Sequence, residues 1–192
     1  MVGAEWRWYS SAQLTGGGAS VFARVGQEWV LEQDLAAGDP GNGDQFGSSV
    51  AIAGDLIVIG APLDDDEVNE SSGSAYLFSR ADGEWSELQK LVPFAASPWQ
   101  QFGWSVAVAG ANLLVGSPGY STGSVWRAGC AYLFRPSGGS WIQTSLLVAA
   151  GAARDDELGE VAMSGHTAVL GARLADVDGR TDAGTAYVFL LP

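Results

Sequence analysis

The stretch Phe46-Gly47-Ser48-Ser49-Val50-Ala51-Ile52-Ala53-Gly54-Asp55-Leu56-Ile57-Val58-Ile59-Gly60-Ala61-Pro62 decides the fold of this chain. Two short apolar runs flank a Gly-Asp pair, the signal of a two-residue β-hairpin. Both runs are almost continuously apolar, as expected of strands covered on both faces. Ala and Ser in the first run let neighbouring backbones approach closely. The pattern then returns as Phe102-Gly103-Trp104-Ser105-Val106-Ala107-Val108-Ala109-Gly110, followed by Leu113-Leu114-Val115-Gly116-Ser117-Pro118. A weaker third copy runs Leu158-Gly159-Glu160-Val161-Ala162-Met163-Ser164-Gly165, then Ala168-Val169-Leu170-Gly171-Ala172-Arg173.

The period holds beyond the hairpin. Trp29, Trp85 and Trp141 are spaced by 56, as are Phe46, Phe102 and Leu158. Ala-Tyr-Leu-Phe at 75–78 and 131–134 returns as Ala-Tyr-Val-Phe at 186–189, with a degenerate Ala19-Ser20-Val21-Phe22 ahead of them. In Ser74–Arg80, residues Ala75, Leu77 and Ser79 alternate with Tyr76 and Phe78, the period of a third strand. Asp82-Gly83 turns into a fourth strand carrying Trp85. No stretch has helical periodicity, and four strands repeated at this spacing are the signature of propeller blades. A plain β-sandwich is the alternative, but it has no need of a fixed period.

The predicted fold is therefore all-β: β-propeller blades of four antiparallel strands, about four blades, two complete and two three-stranded. The units run at approximately 1–44 (partial), 45–100, 101–154 and 155–192 (partial) within a single propeller or propeller segment. Trp29, Trp85 and Trp141 are read as wedges between blades, and Trp6 and Trp8 as cover for the open N-terminal edge. The strand inventory leaves the ring incomplete, so a longer propeller chain, a small closed ring or a homo-oligomer must cover the open faces.

Composition narrows the function. Hydrophobic residues make up 47% of the 192 and charged residues 16%, enough apolar material for a core. Gly reaches 27, which without a triplet period means many tight turns. The net charge of −13 repels phosphate backbones, so no nucleic-acid partner is expected. No apolar run is long enough for membrane insertion, and the first eight residues carry no signal-peptide core. One cysteine, Cys130, excludes an internal disulfide, and one histidine, His166 in a hairpin turn, leaves little room for a triad or zinc site.

Phe46-Gly47 followed by Gly60-Ala61-Pro62, and Phe102-Gly103 followed by Gly116-Ser117-Pro118, resemble the FG-GAP repeat of integrin α-subunit propellers and many bacterial surface or secreted proteins. The resemblance covers roughly residues 18–190. It implies a seven-bladed propeller, an extracellular or cell-surface location, and adhesion or ligand binding, often with calcium. One departure matters: the integrin-type calcium loop lies between FG and GAP, and here it has shrunk to the Gly54-Asp55 turn.

The remaining cation candidates follow the GAP segment: Asp64, Asp65, Asp66 and Glu67 in one copy, Asp176, Asp178 and Asp182 in another. Alternate Asp residues before a Gly let carboxylates converge on a hard cation such as Ca2+. The same loop of the middle copy has no acid but carries Tyr120, Trp126 and Arg127; with Trp104 these form the predicted ligand-binding face. Asp155-Asp156-Glu157 precede Leu158 as Asp44 precedes Phe46, which favours turn capping over paired-carboxylate chemistry. The expected function is a non-enzymatic binding or adhesion module presenting loops to a protein or carbohydrate ligand. A cation-dependent hydrolase or lyase, or a purely structural segment of a larger secreted protein, are the alternatives.

Overall fold

The computed structural model describes residues 2–4, 16–66 and 68–192. The described residues form four antiparallel sheets and no helix. The first holds β1 (Val2–Ala4), β2 (Gly18–Val25) and β3 (Glu28–Leu35). The second holds β4 (Ser49–Ala53), β5 (Leu56–Ala61), β6 (Ser74–Ala81) and β7 (Glu84–Leu91). The third holds β8 (Val106–Ala109), β9 (Asn112–Ser117), β10 (Cys130–Ser137) and β11 (Ser140–Leu147). The fourth holds β12 (Leu158–Ser164), β13 (Thr167–Ala172) and β14 (Thr185–Leu190). Strands in each sheet follow chain order, as in a propeller-like blade. Trp6 and Trp8 lie outside the described residues.

Local chemistry sets the elements. Gly54-Asp55, Gly110-Ala111 and Gly165-His166 close two-residue hairpins, with Ala53 opposite Leu56, Ala109 opposite Asn112, and Ser164 opposite Thr167. Each leading glycine takes a left-handed φ, between 57° and 61°, which the primed hairpin turns require. Ile57, Val58 and Ile59 are all fully buried, the two-sided burial that their unbroken apolar run implies.

Apolar clusters lie between successive sheets. Ala19, Val21 and Leu35 of the first blade meet Ile57, Ile59, Tyr76 and Phe78 of the second. Val58, Ala75 and Leu77 on the opposite face of that blade meet Leu113, Val115, Tyr132 and Phe134 of the third. Leu114, Ala131 and Leu133 then meet Ala168 and Leu170 of the fourth. The Phe of each FG pair fills the inner part of this packing. Phe46 meets Tyr76 and Phe78 edge-on at 5.3 and 6.2 Å, and Phe102 meets Tyr132 and Phe134 at 5.3 and 5.9 Å. Edge-to-face pairs of this kind add about 0.5–1.5 kcal/mol beyond area burial.

The blades touch most closely at the GAP glycine. A Cβ on Gly60 would lie 1.9 Å from the Gly103 carbonyl oxygen, and one on Gly116 would lie 1.8 Å from that of Gly159. Ser49 Oγ donates to the same Gly103 carbonyl at 2.8 Å, and Ser105 Oγ accepts the Val161 amide at 3.1 Å. First strands therefore lie against first strands, β4 on β8 and β8 on β12, while the fourth strands splay. Trp85 and Trp141 fill the splay, at 5% and 9% exposure. Each is clasped by a glutamine of the preceding blade. Gln33 donates to the Trp85 carbonyl at 2.7 Å and accepts its amide at 2.9 Å; Gln89 does the same for Trp141 at 2.9 and 2.8 Å.

The wedge reading of the three tryptophans needs one correction. Trp29 holds the same register position, opposite Arg24 as Trp85 is opposite Arg80, yet it is 68% exposed. Among the described residues no blade precedes its sheet, so there is nothing to wedge against. The far side of the fourth blade is likewise open: Val169, Val188 and Leu190 are exposed. Their counterparts Leu114 and Leu133 are buried by the next blade.

Gly171 is the third copy of the GAP glycine, and an added Cβ there meets only Glu160 Cβ at 3.2 Å. Gly60→Ala and Gly116→Ala should each destabilise the protein by roughly 3 kcal/mol through overpacking, whereas Gly171→Ala should cost under about 1 kcal/mol. Urea denaturation midpoints of the three variants test this; equal costs at the three positions would mean that the blade junction is not the cause.

Candidate functional site

The FG dipeptide builds the site. Gln45-Phe46-Gly47-Ser48 is a β-turn in which the Ser48 amide donates to the Gln45 carbonyl at 3.0 Å; Gln101-Phe102-Gly103-Trp104 repeats it at 3.2 Å. Gly47 and Gly103 have φ of 97° and 95°, the positive value that the third position of a type II turn requires. Gln45, Gln101 and Glu157 precede the turns in left-handed conformations, with φ of 59°, 57° and 52°. The Gln101 and Glu157 amides bond back to the preceding blade, at Ser71 and Arg127 carbonyls. The residue after each FG or LG pair lies at the inner rim: Ser48 and Trp104 close the two turns, and Glu160 follows a bulge in β12 where no such turn forms.

These three side chains line one cavity of about 570 Å3, together with Gln45, Gln101 and the Pro62-Leu63 corner. Trp104 Nε1 donates to Glu160 Oε1 at 2.9 Å, and the Arg173 guanidinium lies 5.2 Å over its ring. Arg173 in turn donates to Glu157 Oε2 at 2.6 and 3.1 Å, and Arg127 pairs with Glu157 Oε1. Glu157 is buried and its charge is shared by two arginines. Ser48 Oγ, shielded from solvent, has no hydrogen-bond partner in the protein.

The predicted ligand face divides. Trp104 stands in the inner-rim cavity. Trp126 and Arg127 line a second cavity of about 350 Å3 with Trp99, a residue the sequence reading did not select. Tyr120 belongs to the core, edge-on to Tyr132 at 6.3 Å. Arg127 and Trp104 are joined only indirectly, through Glu157 and Arg173.

The acidic loops do local work. Asp65 Oδ1 accepts the Ser71 amide at 2.6 Å, Ser121 Oγ accepts the Arg127 amide at 2.9 Å, and Asp176 Oδ1 accepts the Asp182 amide at 3.0 Å. The three donors are all left-handed, with φ of 49°, 49° and 52°. Where the middle copy lacks the acid, a serine hydroxyl makes the same bond. Asp66 caps the Val68 and Asn69 amides, and Asp64 faces Ser74 and Lys90. Asp178 and Asp182 are exposed; Glu67 lies outside the described residues. Calcium needs six to eight converging oxygens. Among the described residues no group of three or more His, Cys, Asp or Glu is placed to hold a metal ion, and these carboxylates as arranged do not fit the calcium that the resemblance implies.

The polar side chains before the FG and LG pairs are caps as well. Asp44, Gln100 and Asp156 accept the amides of Gly41, Ser97 and Ala153 at 2.5, 3.0 and 2.7 Å. Burial raises the pKa of Asp44, and the nearby Asp64 and Asp65 add to this. Lys90 Nζ bridges Asp39 and Asp64, at 2.7 Å from each, and Asp39 also accepts the Tyr76 hydroxyl at 2.8 Å. Burial opposes both charges, but the hydrogen bonds outweigh it: Asp39 is held below its ordinary pKa and Lys90 above its own. Cys130 is buried, which pushes its thiol far up and leaves it inert.

The FG-GAP repeat pattern matches the chain at residues 29–78, 85–134 and 141–189. The chain belongs to the FG-GAP repeat family, whose β-propeller modules are of ligand-binding and adhesion type and are generally non-enzymatic. Such repeats are typical of extracellular or surface proteins. Comparison with curated proteins gives no match.

Two measurements test these assignments. Asp176→Ser should hold stability within about 0.5 kcal/mol of the parent, and Asp176→Ala should lose about 1 kcal/mol. Neither melting temperature should respond to added calcium or to EDTA; a calcium-dependent rise lost in Asp178→Ala would reverse the assignment. Lys90→Met should cost about 2 kcal/mol near neutrality by leaving Asp64 uncompensated. The lowered Asp39 pKa gives stability that is present above the ordinary carboxylate value and lost as pH falls below about 4. The raised Lys90 pKa gives stability that is lost above about pH 10. The difference between parent and Lys90→Met, from urea denaturation, should be flat between these limits and shrink beyond either.

Proposed function

We propose that this chain is a non-enzymatic extracellular binding module whose protein or glycan ligand seats in the inner-rim cavity. One observation carries the reading. One repeat position brings Ser48, Trp104 and Glu160 to a single cavity; the first two close matching FG turns, and Glu160 follows a bulge in β12. Variation at a fixed scaffold position is how a rigid frame acquires a specific site. The alternative of a hydrolase or lyase asks for carboxylates free to act. Asp156 is spent on a turn amide and Glu157 on two arginines.

The open blade faces belong to the same reading. Trp29 on the first blade, and Val169 with Val188 on the fourth, repeat positions that are buried inside the arc. Further FG-GAP blades cover them, from a second copy or from a longer polypeptide.

Surface plasmon resonance over immobilised glycans and matrix proteins tests the binding function. The parent should bind at least one class, and Trp104→Ala should weaken that binding at least tenfold with its melting temperature within a few degrees of the parent. Binding that is unaffected by Trp104→Ala would remove the cavity from the function.

A further inference from the structure

On the reading that the inner-rim cavity is the ligand site, we propose that its ligand is a carbohydrate, recognised as a neutral pyranose ring stacked on Trp104. The charges around the cavity cancel. Arg173 is neutralised by Glu157, which Arg127 also contacts, and Glu160 is the one carboxylate on the lining. An acidic peptide would find no unpaired cation there and would approach a chain of net charge −13. A basic peptide would find one carboxylate, with one of its oxygens already accepting the Trp104 indole. The local field therefore selects for neither sign of charge.

The polar groups left over suit hydroxyls. Gln45 and Gln101 line the cavity with carboxamides, each both donor and acceptor, and Glu160 Oε2 adds an acceptor. Each sugar hydroxyl donates and accepts at once, so a lining of carboxamide and carboxylate groups can satisfy it from either side. A pyranose also presents an apolar C–H face, for which an indole is the largest flat partner among the side chains. Arg173 backs one face of the ring and Glu160 holds its edge, so the platform is fixed before any ligand arrives. The cavity, about 570 Å3, falls within the range of small-molecule sites, about 300–1,000 Å3. The second cavity lacks this lining: Trp99 and Trp126 flank Arg127, which pairs with Glu157, and it has neither a carboxamide nor a carboxylate on its wall.

Saturation-transfer-difference NMR of the intact chain against a panel of neutral mono- and disaccharides tests the proposal, with a glycan array to widen it. At least one sugar should receive saturation at its ring C–H protons. Its affinity should fall at least tenfold in Trp104→Ala and in Gln101→Leu, and stay within about threefold in Trp126→Ala. Should Trp104→Ala fail to fold, the Gln101→Leu and Trp126→Ala pair decides. Silence across the neutral glycans, with Trp104-dependent binding to a matrix protein, would overturn the carbohydrate assignment and leave the binding module standing. Sugar binding that is lost in Trp126→Ala and kept in Trp104→Ala would overturn the assignment to this cavity. Silence across both glycans and proteins would overturn both readings.

Discussion

The structure depends on the approach of one backbone to another without a side chain between them. At the GAP glycine, the carbonyl oxygen of the next blade's FG glycine stands where a Cβ would be. That contact brings the first strands of successive blades together and forces the fourth strands apart. A wedge of space follows from the geometry, and the largest side chain, tryptophan, fills it. The glutamine clasp across the wedge satisfies the backbone groups of Trp85 and Trp141 that no neighbouring strand can pair. At the third equivalent position stands Ser145, and among the described residues the fourth blade has no outer strand to clasp.

The repeat in the sequence is offset from the blade in the fold. Each matched repeat begins at a tryptophan on the outer strand of one blade and ends on the third strand of the next. The frame 29–78 thus joins β3 to β4, β5 and β6, and the two frames after it do the same. Every repeat crosses a blade junction, so the covalent chain holds together the surfaces that the glycine contact brings near. The consequence falls at the ends: among the described residues nothing covers the apolar leading face of the first blade or the apolar trailing face of the fourth.

Much of the fold was legible because its determinants are local. Hairpin turns, two-sided apolar runs and the alternation in the third strand are set by residues a few positions apart. The strands of all four sheets follow from them. What the sequence hid is set by distant pairing. A register shift falls at Val21/Phe22, Leu77/Phe78 and Leu133/Phe134, the same place in three blades, and no residue there announces it. The bonds made by the acidic loops were hidden for a related reason. Two carboxylates, at Asp65 and Asp176, serve a left-handed residue six positions on, and the clue was the neutral Ser121 aligned with them. Glu157 drew notice only as a turn residue, since its two arginine partners come from different loops. Trp104 and Trp126 share a unit in the sequence but open onto different cavities.

The position of the site follows from how the FG turn is made. Its geometry rests on a backbone hydrogen bond, a buried Phe and a glycine with positive φ. The fourth residue of the turn contributes only its amide, so its side chain is not needed for the fold. In the third copy the Leu158-Gly159 pair lies in β12 at a bulge instead, and Glu160 takes the same place at the inner rim. The fold therefore fixes three Cα positions around one cavity and leaves their chemistry open, and this chain has filled them with serine, tryptophan and glutamate. In the last copy the proline of the GAP segment has become Arg173, which braces the tryptophan through its ring and the neighbouring blade through Glu157. Departures from the repeat are tolerated at this cavity because a residue can change there without disturbing the contact that holds the blades together.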